Sequence, residues 1–179
     1  MSKKFNSLSS IVQQAMFQQD NAEKLVLMYI HNYPLCEEAL LKIFDYPFAQ
    51  SALTEYITRY KLPESVQVKM LQMPYGLALL KAYVATYEHL DKPAQIQMLQ
   101  MENIEEALGF YARKAALTSA AQVMLFEHPK AEELAEIYLN FHYLTLPAQL
   151  KLLKTRNQKL IDYYCQRWKL SFSALRKGF

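Results

Sequence analysis

Five glutamines occupy one place in a recurring pattern of roughly 27 residues, and Leu40 breaks the series once. The five are Gln13, Gln67, Gln95, Gln122 and Gln149. An amide carries both donors and an acceptor, so such a row can satisfy backbone groups between repeats, or it can hydrogen-bond base edges or a peptide backbone. We favour the first interpretation, an amide ladder, because residues that read base sequence vary from repeat to repeat and these hardly do.

Basic side chains gather at the carboxyl end of the chain. Residues 144–179 hold eight basic and one acidic residue, and aromatic residues lie between the cations. The basic residues are Lys151, Lys154, Arg156, Lys159, Arg167, Lys169, Arg176 and Lys177, and the aromatics among them include Tyr163, Tyr164, Trp168 and Phe172. Cations with aromatics suit phosphate contact and base stacking, whereas a solvated end of a helical array is the alternative.

Six glutamates lie just before the basic region. They are Glu102, Glu105, Glu106, Glu132, Glu133 and Glu136. Most are explained as carboxylates in the first turn of a helix, where they meet the positive end of the helix dipole. A basic peptide or a divalent ion is the alternative ligand. Opposite charges on neighbouring segments also allow head-to-tail self-association.

No catalytic or metal-binding motif is present in the sequence. His31, His89, His128 and His142 have no metal-ligand spacing and stand beside no candidate nucleophile. His142 occupies a place that other repeats give to aromatic residues, which predicts a packed ring. Three glycines in 179 residues leave no Gly-rich phosphate loop. The sequence therefore predicts a protein that is not an enzyme and has neither cofactor nor metal.

The elements that would position these side chains are short helices in tandem pairs. Near copies of one segment, which we call repeats 1 to 6, follow one another at a nearly constant step of about 27 residues, and a partial seventh follows them. The starts are Leu8, Leu35, Leu62, Leu90, Leu117, Leu144 and Leu170. A fixed period of this size is typical of a solenoid, in which no single repeat can bury its own apolar face.

Each repeat predicts a helix A of about nine residues and a helix B of roughly thirteen to fifteen. Polar residues at the second place predict amino-terminal caps, and prolines between the helices predict where helix A ends. The capping residues are Ser9, Asp91, Thr118, Thr145 and Ser171, and the prolines are Pro47, Pro74 and Pro129. Helix B has a tyrosine at one place in every repeat, predicted to pack its ring between B helices and direct its hydroxyl to solvent or a backbone carbonyl. These are Tyr29, Tyr56, Tyr83, Tyr111, Tyr138 and Tyr164.

A cap, a short helix stopped by proline, a longer helix and a return to leucine at this fixed period resemble the α-solenoids of short helical pairs, such as HEAT-like and leucine-rich-repeat-variant arrays. The resemblance covers about residues 8–179. It implies an all-α, right-handed solenoid of six to seven helix-turn-helix repeats, forming a single repeat domain over residues 1–179 with capping segments at both ends. It also implies an extended, curved surface that holds another macromolecule.

The sequence predicts a cytoplasmic protein with no membrane segment. MSKKFNSLSS lacks the apolar run of a signal peptide, and no stretch reaches the roughly 18 apolar residues of a spanning helix. Cys36 and Cys165 lie far apart, which favours reduced, buried thiols.

The function expected from these features is a non-enzymatic scaffold for a partner protein or peptide, acting as an adaptor, an inhibitor or an immunity-type protein. The alternative is a nucleic-acid-binding repeat protein that uses the basic aromatic carboxyl end. Homo-oligomers could form through the ends of the array. The predicted binding residues are Gln67, Gln95, Gln122, Gln149, Lys151, Lys154, Arg156, Lys159, Arg167 and Trp168.

Overall fold

The computed structural model describes residues 8–169, which form twelve α-helices, one 3-10 turn and no β-strand. The all-α prediction is confirmed. The helices are α1 Ser10–Ala15, α2 Ala22–Asn32, α3 Glu37–Ile43, α4 Ala49–Ile57, α5 Glu64–Leu71, α6 Gly76–Tyr87, α7 Lys92–Met98, α8 Ile104–Ala112, α9 Ser119–Leu125, α10 Ala131–Leu139, α11 Leu146–Thr155 and α12 Gln158–Arg167. The 3-10 turn, Met16–Gln18, extends α1. The partial repeat predicted to begin near 170, with its capping residue Ser171, lies outside the described residues.

The chain divides into two compact units, Met1–Tyr87 and Glu88–Phe179. In the first unit, the odd-numbered helices α1, α3 and α5 pack in sequence, and so do the even-numbered α2, α4 and α6. In the second unit, α7, α9 and α11 pack in the same way, as do α8, α10 and α12. Each unit therefore contains one layer of A helices and one layer of B helices.

Proline follows the end of helix A in the three repeats where the sequence predicts it. Pro47, Pro74 and Pro129 all lie in the turn between helix A and helix B of their repeats. The prediction that B helices reach thirteen to fifteen residues is wrong, because they contain nine to twelve. The apolar pattern continues beyond the end of the helix because an aromatic side chain folds back onto the tyrosine one turn earlier, as Tyr60 does on Tyr56 at 5.1 Å between ring centroids.

The core consists of aligned columns of side chains. One column of apolar residues, in the A helices and in the 3-10 turn after α1, is buried in every repeat, and all six tyrosines of the B helices are buried. The A column comprises Met16, Ile43, Met70, Met98, Leu125 and Leu152. The first apolar residue of repeats 2 to 6 is also buried, whereas Leu8, at the start of repeat 1, is partly exposed.

Candidate interaction surface

The predicted glutamines lie inside the protein and bond to the backbone. In all five, Nε2 donates to the carbonyl of the leucine five residues earlier, at 2.8 to 2.9 Å. In four of them, Nε2 also donates to the hydroxyl of the tyrosine of the same repeat, at 3.0 to 3.3 Å. Gln67, Gln95 and Gln122 are buried, and Gln149 is half-buried. The four amides that bond to both the leucine and the tyrosine thus join the start of helix A to helix B.

The glutamine oxygen extends this network into the next repeat. Gln122 Oε1 accepts the backbone N–H of Thr145 at 2.7 Å, and Gln95 Oε1 accepts that of Thr118 at 2.6 Å. Gln13 Oε1 accepts the N–H of Cys36 in the same way. The predicted capping residues do stand at the N-cap positions, but their side chains make no capping hydrogen bond. The backbone N–H groups of Thr118 and Thr145 provide the link between repeats instead.

Four of the six tyrosine hydroxyls accept hydrogen bonds from backbone N–H groups, a role that differs from the predicted contact with solvent or a backbone carbonyl. The N–H of the leading leucine donates to the hydroxyl of Tyr29, Tyr111, Tyr138 and Tyr164, at 3.0 to 3.3 Å. Burial raises the pKa of Tyr138 to about 12, and the hydrogen bonds from Leu117 and Gln122 oppose that rise. The hydroxyl is therefore a structural acceptor in a dry environment.

The predicted basic residues of the α11–α12 region do not form one groove with these amides. Lys151 pairs with Glu127 at 2.5 Å, and Lys159 pairs with Glu132 and Glu136 at 2.6 and 3.1 Å. Lys154, on α11, and Arg156, which follows it, are exposed. Neither makes an ion pair with another residue of 8–169.

The acidic cluster is partly neutralised by lysines of the following repeat. Hydrogen bonding to Lys159 lowers the pKa of Glu132, and hydrogen bonding to Lys130 lowers the pKa of Glu105. All four groups lie at the protein surface, where such pairs contribute little to stability. The carboxylates also stand in the first turns of α8 and α10, as the dipole interpretation predicts.

Arg167 and Trp168 lie at the other end of α12, about 12 Å along the helix axis from Lys159 at roughly 1.5 Å per residue. Arg167 Nη2 donates to the carbonyl of Asn140 at 2.8 Å, and the Tyr163 hydroxyl donates to Asn140 Oδ1 at 2.8 Å. The Trp168 ring packs on Tyr143 at 3.7 Å between ring centroids. These contacts place the carboxyl end of α12 against the carboxyl end of α10.

A further contact places the carboxyl end of α8 beside those of α10 and α12. His142 Nε2 donates to the carbonyl of Ala112 at 2.6 Å, and the His142 ring packs on Tyr138 at 5.2 Å, as the prediction of a packed ring requires. The carboxyl ends of α8, α10 and α12 therefore lie side by side. We call the residues at and just after the carboxyl ends of these helices the basic edge. It comprises Arg113, Lys114, Asn140, Phe141, Tyr143, Arg167, Trp168 and Lys169.

The basic edge combines cations with exposed rings. Phe141 is 43% exposed and Tyr143 56% exposed. Arg113 and Lys114 are exposed, and neither forms an ion pair within the described part of the chain. No Asp or Glu occurs in residues 112–116, 139–143 or 165–169. This arrangement can bind an anionic partner that also offers apolar side chains.

Sequence reasoning identified Arg167 and Trp168 at this edge but missed Arg113, Lys114, Phe141 and Tyr143. The charge count over whole segments hid them, because residues 101–143 are acidic in total. Alignment of the repeats could have revealed them, since the last five places of repeats 4 to 6 contain cations and aromatic residues but no acid.

Residues 8–169 contain neither a cluster of metal ligands nor a membrane-spanning helix. The His, Cys, Asp and Glu side chains there do not gather in groups of three or more that could hold a metal ion. Both cysteines are free thiols. None of the helices in this range has the length and apolar character needed to cross a bilayer.

Comparison with known proteins gives no relative. No family model matches the chain, and no curated protein or solved structure is significantly similar to it.

Proposed function

We propose that this protein is a non-enzymatic α-solenoid scaffold, built from six to seven right-handed, HEAT-like helical pairs, that binds a partner protein or peptide. Support comes from the packing of A helix on A helix and B helix on B helix within each unit. The recurring Gln–Leu–Tyr hydrogen bonds support it too, because identical internal contacts are how a repeat array stacks.

The observation on which this function rests is the contrast between a constant interior and a variable exterior. The tyrosine position of helix B is the same residue in all six repeats and is always buried. Three places later, the exposed position holds five different residue types in six repeats. They are Asn32, Arg59, Thr86, Lys114, Phe141 and Arg167. A frame that repeats inside and differs outside can present a specific surface to one partner.

A protein partner is favoured over nucleic acid by the state of the predicted basic residues. Lys151 and Lys159 are paired with carboxylates, and the glutamines are occupied with backbone groups. Phosphate binding needs cations along one continuous track. The free thiols of Cys36 and Cys165 favour a reducing compartment, and we place the protein in the cytoplasm.

The test is affinity capture from an extract of the native host, followed by reconstitution with the purified partner. We expect a protein that binds the wild-type chain in a defined stoichiometry and is lost with Phe141→Asp. Thr86→Asp is the matched control, because it places the same carboxylate at the same repeat position of the first unit.

Each outcome of this test is decisive. Retention of the partner by Thr86→Asp and its loss with Phe141→Asp would support the proposal and its location. Failure to retain any protein above empty resin would overturn the proposed function. Equal binding of a partner to both variants would support the scaffold function and would show that the binding site lies outside the basic edge.

A further inference from the structure

We propose that the partner segment that docks on the basic edge is acidic and contains apolar anchor residues. This inference rests on the proposed binding function and names the chemistry of the partner. The segment would lie across the carboxyl ends of α8, α10 and α12, place its carboxylates against the cations and insert its apolar side chains between the exposed rings.

Charge complementarity is the first argument. Arg113 and Lys114 follow α8, and Arg167 and Lys169 lie at or after the end of α12, with no acid in the fifteen residues of the three segments. Cations at helix carboxyl ends do complement the helix dipole. That role accounts for one cation at each helix, whereas α8 and α12 each have two and α10 has none.

The apolar surface next to these cations is the second argument. Phe110, Ile137 and Tyr163 occupy one repeat position on the three neighbouring B helices, and all three are half-buried. A Cβ added to Gly109 would lie only 3.8 Å from Ile137 Cγ2, so α8 and α10 approach closely at this stripe. Phe141 continues the stripe one turn beyond Ile137 and is more exposed. Partly exposed apolar groups beside cations suit a segment with both carboxylates and apolar anchors.

Carboxylates on the same helices distinguish a peptide from a nucleic acid. Glu106, Glu133 and Asp162 are exposed, and Glu106 and Glu133 each precede a stripe residue by one turn. A long phosphate backbone crossing the three helices would run close to these carboxylates, within roughly one helical pitch of 5.4 Å. An acidic peptide can place its carboxylates at the basic edge and its apolar residues at the stripe, whereas a nucleic acid carries a charge at every nucleotide. The aliphatic Ile137 in the middle of the stripe also suits an apolar side chain better than a stacked base.

The experiment measures fluorescence anisotropy with three labelled probes on the full chain. The first is a peptide of about ten residues, long enough to cross three helices spaced roughly 8–10 Å apart, composed of Asp and Glu with one Phe and one Leu. The second replaces its acids with Lys. The third is a single-stranded oligothymidylate of equal net charge.

Two charge-reversal variants separate the basic edge from other basic positions. Arg113→Glu with Lys114→Glu reverses two cations at the edge. Lys154→Glu with Arg156→Glu makes the same charge change at the end of α11, outside the edge. We expect the acidic peptide to bind at least about tenfold more weakly to the first variant and within about twofold of wild type to the second.

Three results would overturn the inference. They are binding of the basic peptide as tight as that of the acidic one, equal loss in both variants, and tighter binding of oligothymidylate than of the acidic peptide. Capture of a partner from a host extract tests the scaffold function whatever the charge of that partner. A captured partner that binds the edge without an acidic segment would therefore refute this inference and leave the proposed function standing.

Discussion

At the scale of single residues, the break in the glutamine column has a physical explanation. The side-chain oxygens of Gln13, Gln95 and Gln122 each accept the backbone N–H at the second place of the next repeat. The second place of repeat 3 is Pro63, which has no N–H. Repeat 2 correspondingly carries the fully buried Leu40 instead of a glutamine. An amide there would bury an acceptor without its donor.

This explanation predicts an energetic coupling between positions 40 and 63. Leu40→Gln alone should lower the free energy of unfolding by about 1–3 kcal/mol, because the new amide oxygen has no N–H to accept. In a Pro63→Thr background, the same change should cost at least about 1 kcal/mol less, since Thr supplies the N–H. Urea unfolding of wild type, Leu40→Gln, Pro63→Thr and the double variant completes this double-mutant cycle. An equal cost in both backgrounds would refute the explanation.

Buried tyrosines predict alkaline sensitivity. Burial raises the pKa of Tyr56 and of Tyr138 from 10.0 to about 12. The folded state favours the neutral hydroxyl. Its contribution to the free energy of unfolding is therefore complete below pH 10 and is lost as the pH rises towards 12. Each group should contribute a loss of about 1–2 kcal/mol over that window, once partial solvent screening is allowed for.

Urea unfolding at pH 8, 10 and 11.5, together with tyrosinate absorbance, checks this prediction. Tyr138→Phe serves as the control, because it removes one titrating group while keeping the ring. Its stability at pH 8 should be lower, since the bonds from Leu117 and Gln122 are lost, but it should fall less steeply above pH 10. The same slope in both proteins would mean that Tyr138 titrates normally in the folded state.

At the scale of the helices, two glycines predict opposite effects of adding a methyl group. A Cβ on Gly76, the first residue of α6, would lie 2.8 Å from the carbonyl oxygen of Met70 and 3.1 Å from that of Leu71. Both atoms belong to the backbone and cannot rotate away. A Cβ on Gly109, inside α8, would meet only Ile137 Cγ2 at ordinary contact distance.

We expect Gly109→Ala to raise the free energy of unfolding by about 0.5–1 kcal/mol, because alanine restricts the unfolded chain and favours the helix. Gly76→Ala should lower it by about 1–3 kcal/mol through overpacking, despite the same gain in helix propensity. Thermal and urea unfolding of the pair provide the measurement. A stabilised Gly76→Ala would show that the turn after α5 can relax.

At the scale of the whole molecule, the packing pattern predicts how a local defect spreads. Within the second unit, α9 packs between α7 and α11, and the amide of Gln122 links repeat 5 to repeat 6. In an array whose repeats contact only their neighbours, a defect loosens adjacent repeats first.

Gln122→Leu should therefore increase amide hydrogen exchange in α9, α10 and α11 and leave α1 to α4 close to wild type. Hydrogen exchange followed by mass spectrometry measures the exchange rate in each peptide of the chain. Gln14→Leu, a change of the same kind at a half-buried position of α1, controls for the loss of an amide as such. Equal deprotection of every helix would indicate one globally cooperative core and would contradict the solenoid proposal.

The sequence by itself determined the helical class, the repeat length and the core columns. A fixed repeat period with apolar positions at helical spacing depends only on local geometry and on burial, and both are written in residue type. The prolines after helix A and the positions of the N-caps were predictable for the same reason, because they too depend on local backbone geometry. The B helices were predicted too long, because side-chain periodicity cannot distinguish a helical turn from a ring that folds back after the helix ends.

Only the tertiary structure decided which candidate binding residues are available at the surface. Gln122 and Phe141 both have side chains that could bind a partner, yet the first is buried among backbone groups and the second is open to solvent. Sequence separation hid the basic edge as well. Residues 112–116, 139–143 and 165–169 become neighbours only when the B helices stack, because stacking brings together residues that are one full repeat apart in the chain.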